Sequence, residues 1–152
     1  MKALWVGRHG RSRGQSLVEF ALILPLLVLM IMGVFDLGRG IFAYNTLAES
    51  ARQANRLAIV DQDPDRVRAV AIDHAPTLDL AAADIDVCVS DPAAPGCGGT
   101  PCLGCLVSVT TRSTFVPITP IISALVPSLS LSSTSVGPIE YVCPRAGNST
   151  CP

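Results

Sequence analysis

The six cysteines carry the most versatile chemistry in this 152-residue sequence. An even number of cysteines in an oxidising compartment predicts disulfides, and six cysteines allow fifteen pairings, so the connectivity stays open. Two alternatives remain. Cys102 and Cys105 have the CxxC spacing of a redox pair but lack the usual flanking strand and helix, and with Cys88 and Cys97 they could hold zinc, although the spacing fits no standard zinc ribbon. The candidate disulfide cysteines are Cys88, Cys97, Cys102, Cys105, Cys143 and Cys151.

The other residues that could support catalysis are few. His9 and His74 are the two histidines, and no nucleophile in an elbow-like motif accompanies His74. We interpret His74 as a cation at the end of a short helix. The glycines Gly96, Gly98 and Gly99 lie among cysteines and prolines and form no phosphate-binding loop. The sequence predicts no enzyme, no cofactor and no metal site.

A single carboxylate interrupts the apolar stretch in RGQSLVEFALILPLL, residues 13 to 27. A charged residue near the centre of a membrane helix costs about 2.5 to 3.5 kcal/mol on insertion scales, so Glu19 should have a partner. Cleavage after Gly14 would make Gln15 the first residue, and its new amine could pair with Glu19 of a neighbouring subunit. The alternative is a hydrated Glu19 near the lipid headgroups, or one paired with Arg13.

The segment that carries Glu19 predicts a membrane-spanning helix. Leu17 to Phe35 comprises nineteen residues, and at about 1.5 Å per residue they reach roughly 28 Å, close to the thickness of the hydrocarbon core. Pro25 should kink this helix, which membrane spans tolerate. A cleaved secretory signal peptide is the nearest competitor, but the stretch is long, contains Glu19 and is followed by no small-residue cleavage site.

Charge asymmetry predicts the orientation of this helix. Lys2, Arg8, Arg11 and Arg13 precede it without any acid, whereas the rest of the chain has seven basic and twelve acidic residues. Basic flanks stay in the cytoplasm, so the remainder of the chain should lie outside. An acidic body offers no basic surface for nucleic acid.

Beyond the span, apolar residues at steps of three and four predict an amphipathic helical stalk. Its apolar stripe should pack on the chain's own domain, and a compatible alternative is a stripe that faces other subunits. These positions are Leu37, Ile41, Tyr44, Ala48, Ala51 and Ala58.

The remaining residues predict a small α+β domain. Asp63 and Pro64 should cap a short helix that Pro76 ends after His74. Period-two patterns then predict four antiparallel strands, near residues 84–89, 107–110, 128–132 and 139–142. Turns should form in two proline-containing segments, from Pro92 to Pro101 and around Pro117, Pro120 and Pro127.

A resemblance to one protein family accounts for the N-terminal motif and the long helix together. Gly14, Glu19 and Phe20 match the processing motif of type IV prepilins, in which a peptidase cuts after Gly and the fifth mature residue is Glu. The longer stretch RGQSLVEFALILPLLVLMIMGVFDLGRGIFAYNTLAESARQANRLA resembles the TadE-like pseudopilins of the tight-adherence system, which builds Flp pili. The resemblance becomes loose beyond about Val60, and the cysteine-rich insert is not part of it.

The resemblance implies a pilin-like plan: a cleaved basic leader (1–14), a transmembrane helix (15–36), a helical stalk (37–62) and an extracytoplasmic α+β domain (63–152). It also implies a minor pseudopilin in the bacterial inner membrane. The expected partners are a prepilin peptidase, other pseudopilins and pilus assembly proteins, and the lipid bilayer. The alternative is a membrane-tethered, disulfide-bonded extracytoplasmic enzyme or ligand-binding module.

Overall fold

The computed structural model describes residues 12–91 and 96–142 and has an α+β fold. One long N-terminal helix packs on a small antiparallel sheet, as the sequence predicts. The elements are α1 (Ser12–Ala58), α2 (Pro64–Asp73), a 3₁₀ turn (Ala82–Asp84), β1 (Ile85–Ser90), β2 (Leu106–Phe115), α3 (Pro120–Leu125) and β3 (Leu129–Pro138).

Helix α1 has 47 residues and continues without a break from the apolar segment into the stalk. At about 1.5 Å per residue it is roughly 70 Å long. Of the described residues, this is the one helix that is long and apolar enough to cross a membrane, and its most apolar window is not buried by the rest of the protein. The C-terminal half of α1 instead packs on α2, β2 and β3.

Helix α2 begins and ends where the sequence predicts. The Asp63 side chain accepts a hydrogen bond from the backbone N–H of Asp65 at 3.0 Å, and Pro64 occupies the first turn. His74 is the C-terminal cap, two residues before Pro76. The Ser50 hydroxyl donates to the carbonyl of Ala71 at 2.6 Å, which joins α2 to α1.

The sheet has the order β1-β2-β3, and both pairings are antiparallel. In the central strand β2, Val107, Val109 and Thr111 are buried against α1. The inner face of β3 is made of Leu131, Ser133, Ser135 and Gly137, which alternate with exposed residues.

The prediction of a fourth strand at residues 139–142 is wrong, since the described residues form three strands. Ile139 does exchange backbone hydrogen bonds with the start of β2, donating to Cys105 at 2.7 Å and accepting from Gly104 at 3.0 Å. The chain then turns to α1, because the N–H of Glu140 donates to the carbonyl of Ile59 at 3.0 Å. The carbonyl of Ile59, just past the end of α1, therefore accepts the backbone hydrogen bond that a neighbouring strand would have accepted.

The predicted face of the stalk is also wrong in part. Ala51 and Ala58 are buried, but Leu37, Ile41 and Tyr44 are exposed. Small residues allow α1 to approach the sheet closely, whereas the larger apolar side chains point away from it. The buried positions along this face are Asp36, Ala43, Leu47, Ser50, Ala51, Ala54, Asn55 and Ala58.

Helix and sheet approach each other closely at Gly137. A Cβ at this position would lie 2.9 Å from the amide of Asn55 and 3.0 Å from Cγ2 of Ile59. The Asn55 amide, oriented by its neighbours, bonds to the carbonyl of Val107 and the N–H of Gly137. One buried side chain on α1 is therefore bonded to both β2 and β3.

The proline segment that was predicted to be a turn contains a short helix. Helix α3 begins at Pro120 and ends at Leu125, with Thr119 as its N-cap residue. Proline is favoured in the first turn, where a helix needs no N–H donor, so the same residue type that suggested a turn starts this helix.

Candidate processing site and membrane junction

The predicted processing site lies in the first turns of α1. Gly14 is exposed, and a Cβ added to it would meet no atom within 4 Å. Nothing among the described residues 12–91 and 96–142 therefore requires glycine at this position. Any requirement for glycine would come from a molecule that binds here.

Gln15 and Glu19 lie one turn apart on the exposed surface of α1. The Gln15 amide donates to Oε1 of Glu19 at 3.2 Å. In the single chain, the carboxylate thus has a neutral partner on its own helix. The side chain of Arg13, the other predicted partner, lies outside the described part of the chain.

Pro25 lies within α1, and the helix continues through it. The kink remains a prediction.

Asp36 joins the apolar part of α1 to the outer domain. Its Oδ1 accepts the backbone N–H of Ile118 at 3.0 Å, and its Oδ2 accepts the N–H of Thr119 at 2.8 Å. Asp36 and Thr119 are 6% and 2% exposed, so both carboxylate oxygens are engaged in a largely dry contact. Bonds to a charged acceptor are stronger than bonds between neutral groups. The contact therefore holds the β2–α3 connection against the helix.

Arg39 and Phe115 flank this junction. The Arg39 guanidinium lies 3.6 Å from the Asp36 carboxylate and 5.6 Å from the centre of the Phe115 ring. The same ring lies 3.7 Å from the position that a Cβ would take at Gly40. That separation is an ordinary van der Waals contact, so a methyl group would also fit at Gly40.

Sequence reasoning gave Asp36 no structural role. The available signal was an acid at the end of an apolar run, in a chain whose later residues 113–139 contain no charged side chain. An acid placed there needs donors, and backbone N–H groups of that uncharged stretch supply them.

The exposed face of α1 near the junction is strongly apolar. A groove of about 490 Å³ lies here, at the upper end of the predicted span. Its lining residues are Met30, Ile31, Val34, Phe35, Gly38, Arg39 and Phe42.

Further along α1 the exposed surface becomes polar. Glu49 accepts hydrogen bonds from Gln53 and from Arg52, and these bonds hold the pKa of the Glu49 carboxyl below its ordinary value.

The structure pairs four of the six cysteines. Cys88 is bonded to Cys97, and Cys102 is bonded to Cys105. Cys143 and Cys151 lie outside the described residues. The first bond joins β1 to the loop before β2, and the second closes the turn that leads into β2.

The Cys102–Cys105 bond packs on the core. Cys105 is fully buried, and Cys102 packs partly buried against the same cluster. Asp91 lies beside them, with its carboxylate within 4.8 Å of both sulfurs. Thiol exchange requires a sulfur that an attacking thiolate can reach, and zinc requires thiolates. A buried sulfur in a disulfide favours a structural role over the redox and zinc alternatives.

The histidines show no catalytic arrangement among the described residues. The Nδ1 atom of His74 lies 2.9 Å from the carbonyl of Val70, in keeping with a residue that caps α2. His9 lies outside the described part of the chain.

Comparison with known proteins gives one match. The family model of TadE-like proteins matches residues 14–56, which confirms the resemblance seen in the sequence. The matched segment starts at the predicted processing site and ends two residues before the end of α1. No curated protein and no solved structure matches the chain.

Proposed function

We propose that this chain is a membrane-anchored minor pseudopilin that takes part in assembling a Tad-type (Flp) pilus or secretion apparatus. One observation carries the proposal: the TadE-like match coincides with α1, the helix that contains the apolar span and the packing surface of the domain. In this role the chain acts through assembly rather than catalysis.

The anchor is the apolar part of α1, with residues 15–36 in the inner membrane. The basic residues before it place the N-terminus in the cytoplasm and the sheet domain outside. The two disulfides support this orientation, because disulfides persist in oxidising compartments outside the cytoplasm.

Maturation is a cut between Gly14 and Gln15 by a prepilin peptidase. Both residues lie on the open surface of the first helical turns, where few packing contacts oppose local unwinding. The open space around Gly14 is compatible with a glycine requirement that comes from the peptidase.

Assembly then uses Glu19. In the single chain its partner is the Gln15 amide, whereas cleavage turns Gln15 into a residue with a charged amine. A neighbouring subunit's amine offers Glu19 full charge compensation in a medium of low dielectric constant, where ion pairing is strong. The pairing would also fix the axial position of one helix relative to the next.

The exposed stalk supplies an apolar surface for neighbouring subunits. Leu37, Ile41 and Tyr44 are 64%, 54% and 48% exposed, and the chain's own sheet covers the opposite side of the helix. Exposed apolar surface of this kind marks an interaction site. We assign these residues to contacts with other pseudopilins in the assembled apparatus.

The test begins with the cut. Gly14→Val should leave the fold unchanged, because the site has free space, but should accumulate as a full-length precursor in the membrane. Gly38→Val is the matched control, since Gly38 is also an exposed glycine of α1 with no atom near its Cβ position. Intact-mass measurement on membrane extracts reads out both variants. Loss of residues 1–14 from the Gly14→Val protein would refute the assigned site.

A second measurement tests assembly. In cells that lack the natural copy, Glu19→Gln should be inserted and cut normally but should fail to restore pili. Glu49→Gln, which removes an exposed carboxylate farther along the same helix, is the control and should restore them. Normal piliation with Glu19→Gln would reduce Glu19 to a hydrated interfacial carboxylate.

A further inference from the structure

We propose that the loop of residues 116–127, which contains α3, is a second membrane-embedded element that dips into the outer half of the bilayer beside α1. This inference rests on the proposed membrane anchor. It assigns the lipid bilayer as the partner of a part of the outer domain.

The position of α3 along α1 gives the depth. Cδ1 of Ile122 lies 3.7 Å from the Cβ position at Gly33. Gly33 lies inside the uncharged run from Phe20 to Phe35 and about 4.5 Å below the level of Asp36, at about 1.5 Å per residue. A helix that crosses the bilayer with that run places its neighbour Ile122 in the hydrocarbon as well.

The composition of the loop suits that depth. No charged residue occurs between Arg112 and Glu140. The outward side chains of the loop are apolar: Ile118 is 64% exposed, Leu125 is 79% exposed and Val126 is 43% exposed. Water would be a poor solvent for this surface, which lies beside α1 through the contact of Ile122 with the Gly33 position.

Several backbone N–H groups of the loop have the partners within the protein that a membrane requires of polar groups. Asp36 accepts the N–H groups of Ile118 and Thr119. The N–H of Ser123 donates to the carbonyl of Thr119 at 2.8 Å, and the N–H of Val126 donates to the carbonyl of Ile122 at 2.7 Å. Three further positions of the loop are prolines and have no N–H to satisfy: Pro117, Pro120 and Pro127.

Asp36 has a second role at this depth, which is to pair backbone N–H groups of the loop at the membrane boundary. An unpaired carboxylate at the end of a span is costly, and unpaired backbone N–H groups entering lipid are costly too. Joining them satisfies both, with Arg39 at 3.6 Å as a counter-charge. The loop therefore enters the membrane where Asp36 binds Ile118 and Thr119.

The experiment uses tryptophan as a depth probe in the full chain. Trp5, the single native tryptophan, is replaced by Phe, and one tryptophan is placed at Leu125. The protein is reconstituted at low density into vesicles of phosphatidylethanolamine and phosphatidylglycerol, with acyl chains brominated near the headgroup or near the methyl end. The Leu125→Trp variant should show blue-shifted emission and quenching, stronger with bromines near the headgroup.

Two controls bracket the result. Leu26→Trp lies in the middle of the span, is 70% exposed and should be quenched most by deep bromines. Leu103→Trp lies in the turn next to Gly104. Gly104 donates to the carbonyl of Ile139, and the next residue, Glu140, donates to the carbonyl of Ile59, just past the end of α1. The 26 residues from Gly33 to Ile59 extend roughly 39 Å along the helix, so this probe should not be quenched.

The controls separate the two proposals. If Leu26→Trp is quenched and Leu125→Trp is not, the anchor stands and the membrane-dipping loop is refuted. Blue-shifted but unquenched emission from Leu125→Trp would show that protein covers the loop, which also refutes the inference. If Leu26→Trp is unquenched as well, the membrane anchor itself fails.

Discussion

At the scale of single residues, small side chains decide how closely α1 and the sheet approach. At Gly137 an added Cβ would lie 2.9 Å from the Asn55 amide and 3.0 Å from Cγ2 of Ile59, so glycine fits there and a larger residue does not. The sequence indicates a glycine here but not its neighbours, because the partners lie more than 70 residues away along the chain. That is why close contacts of this kind could not be predicted.

Gly137→Ala should destabilise the outer domain by about 1 to 3 kcal/mol, because the new methyl group overlaps Asn55 and Ile59, and well-packed cores tolerate added atoms poorly. Denaturant unfolding in micelles, followed by circular dichroism, measures the change. Gly38→Ala adds the same group in open space and should leave the midpoint unchanged or slightly raised. Equal midpoints for both variants would contradict the close approach.

At the scale of elements, α1 and α2 were predicted, whereas α3 and the buried face of the stalk were not. The apolar run and the Asp63–Pro64 cap predicted α1 and α2, since both signals are local. Pro117, Pro120 and Pro127 predicted a turn instead of α3, because a proline ends a preceding element as readily as it begins a helix. The stalk face was misassigned because Leu37, Ile41 and Tyr44 have helical spacing but face away from the sheet.

The Asp36 contact is the element-scale feature that can be tested directly. Asp36→Asn keeps the size of the side chain but leaves one acceptor oxygen for two N–H groups, and an unsatisfied buried group costs about 1 to 3 kcal/mol. Amide hydrogen exchange at Ile118 and Thr119 should accelerate. Glu49→Gln should leave both rates unchanged, and unchanged rates in Asp36→Asn as well would show that the carboxylate does not hold the loop.

The disulfide between β1 and its following loop should be structural. Replacing Cys88 and Cys97 together by Ser should lower the free energy of unfolding by about 2 to 4 kcal/mol, mainly because the unfolded chain regains freedom. Thiol trapping of the unmodified protein, denatured without reductant, should label none of the four paired cysteines. Labelling of Cys102 and Cys105 alone would instead support the redox alternative.

At the scale of the whole molecule, the exposed stalk is an apolar surface that no part of the described chain covers. Ile41→Gln should reduce the number of surface pili while leaving membrane insertion and cleavage intact, because Ile41 is 54% exposed and contributes apolar contact only when a neighbour covers it. Counting pili in cells that carry only the variant measures the effect. Arg52→Gln, on the polar exposed part of α1, should assemble normally; equal piliation would remove Ile41 from the interface.

The general plan of the molecule was predictable from its sequence, but its internal connections were not. Hydrophobicity along the chain predicted a long apolar helix followed by an α+β domain, and the structure has both. The contact of Asp36 with Ile118 and Thr119 joins residues more than 80 positions apart, and no local pattern encodes that distance. The two disulfides were likewise undetermined among fifteen pairings until the strands were placed.

The unbroken length of α1 has a mechanical consequence. Since one helix is both the proposed anchor and the spine on which the sheet is mounted, no hinge lies between them among the described residues. A force that lifts the domain along the helix axis would act directly on the membrane segment, and a force on that segment would move the sheet with it. If the proposed function includes entry into a fibre, the sheet and the part of α1 beyond Pro25 would move together along the helix axis, and α3 would leave the lipid with the upper turns of α1.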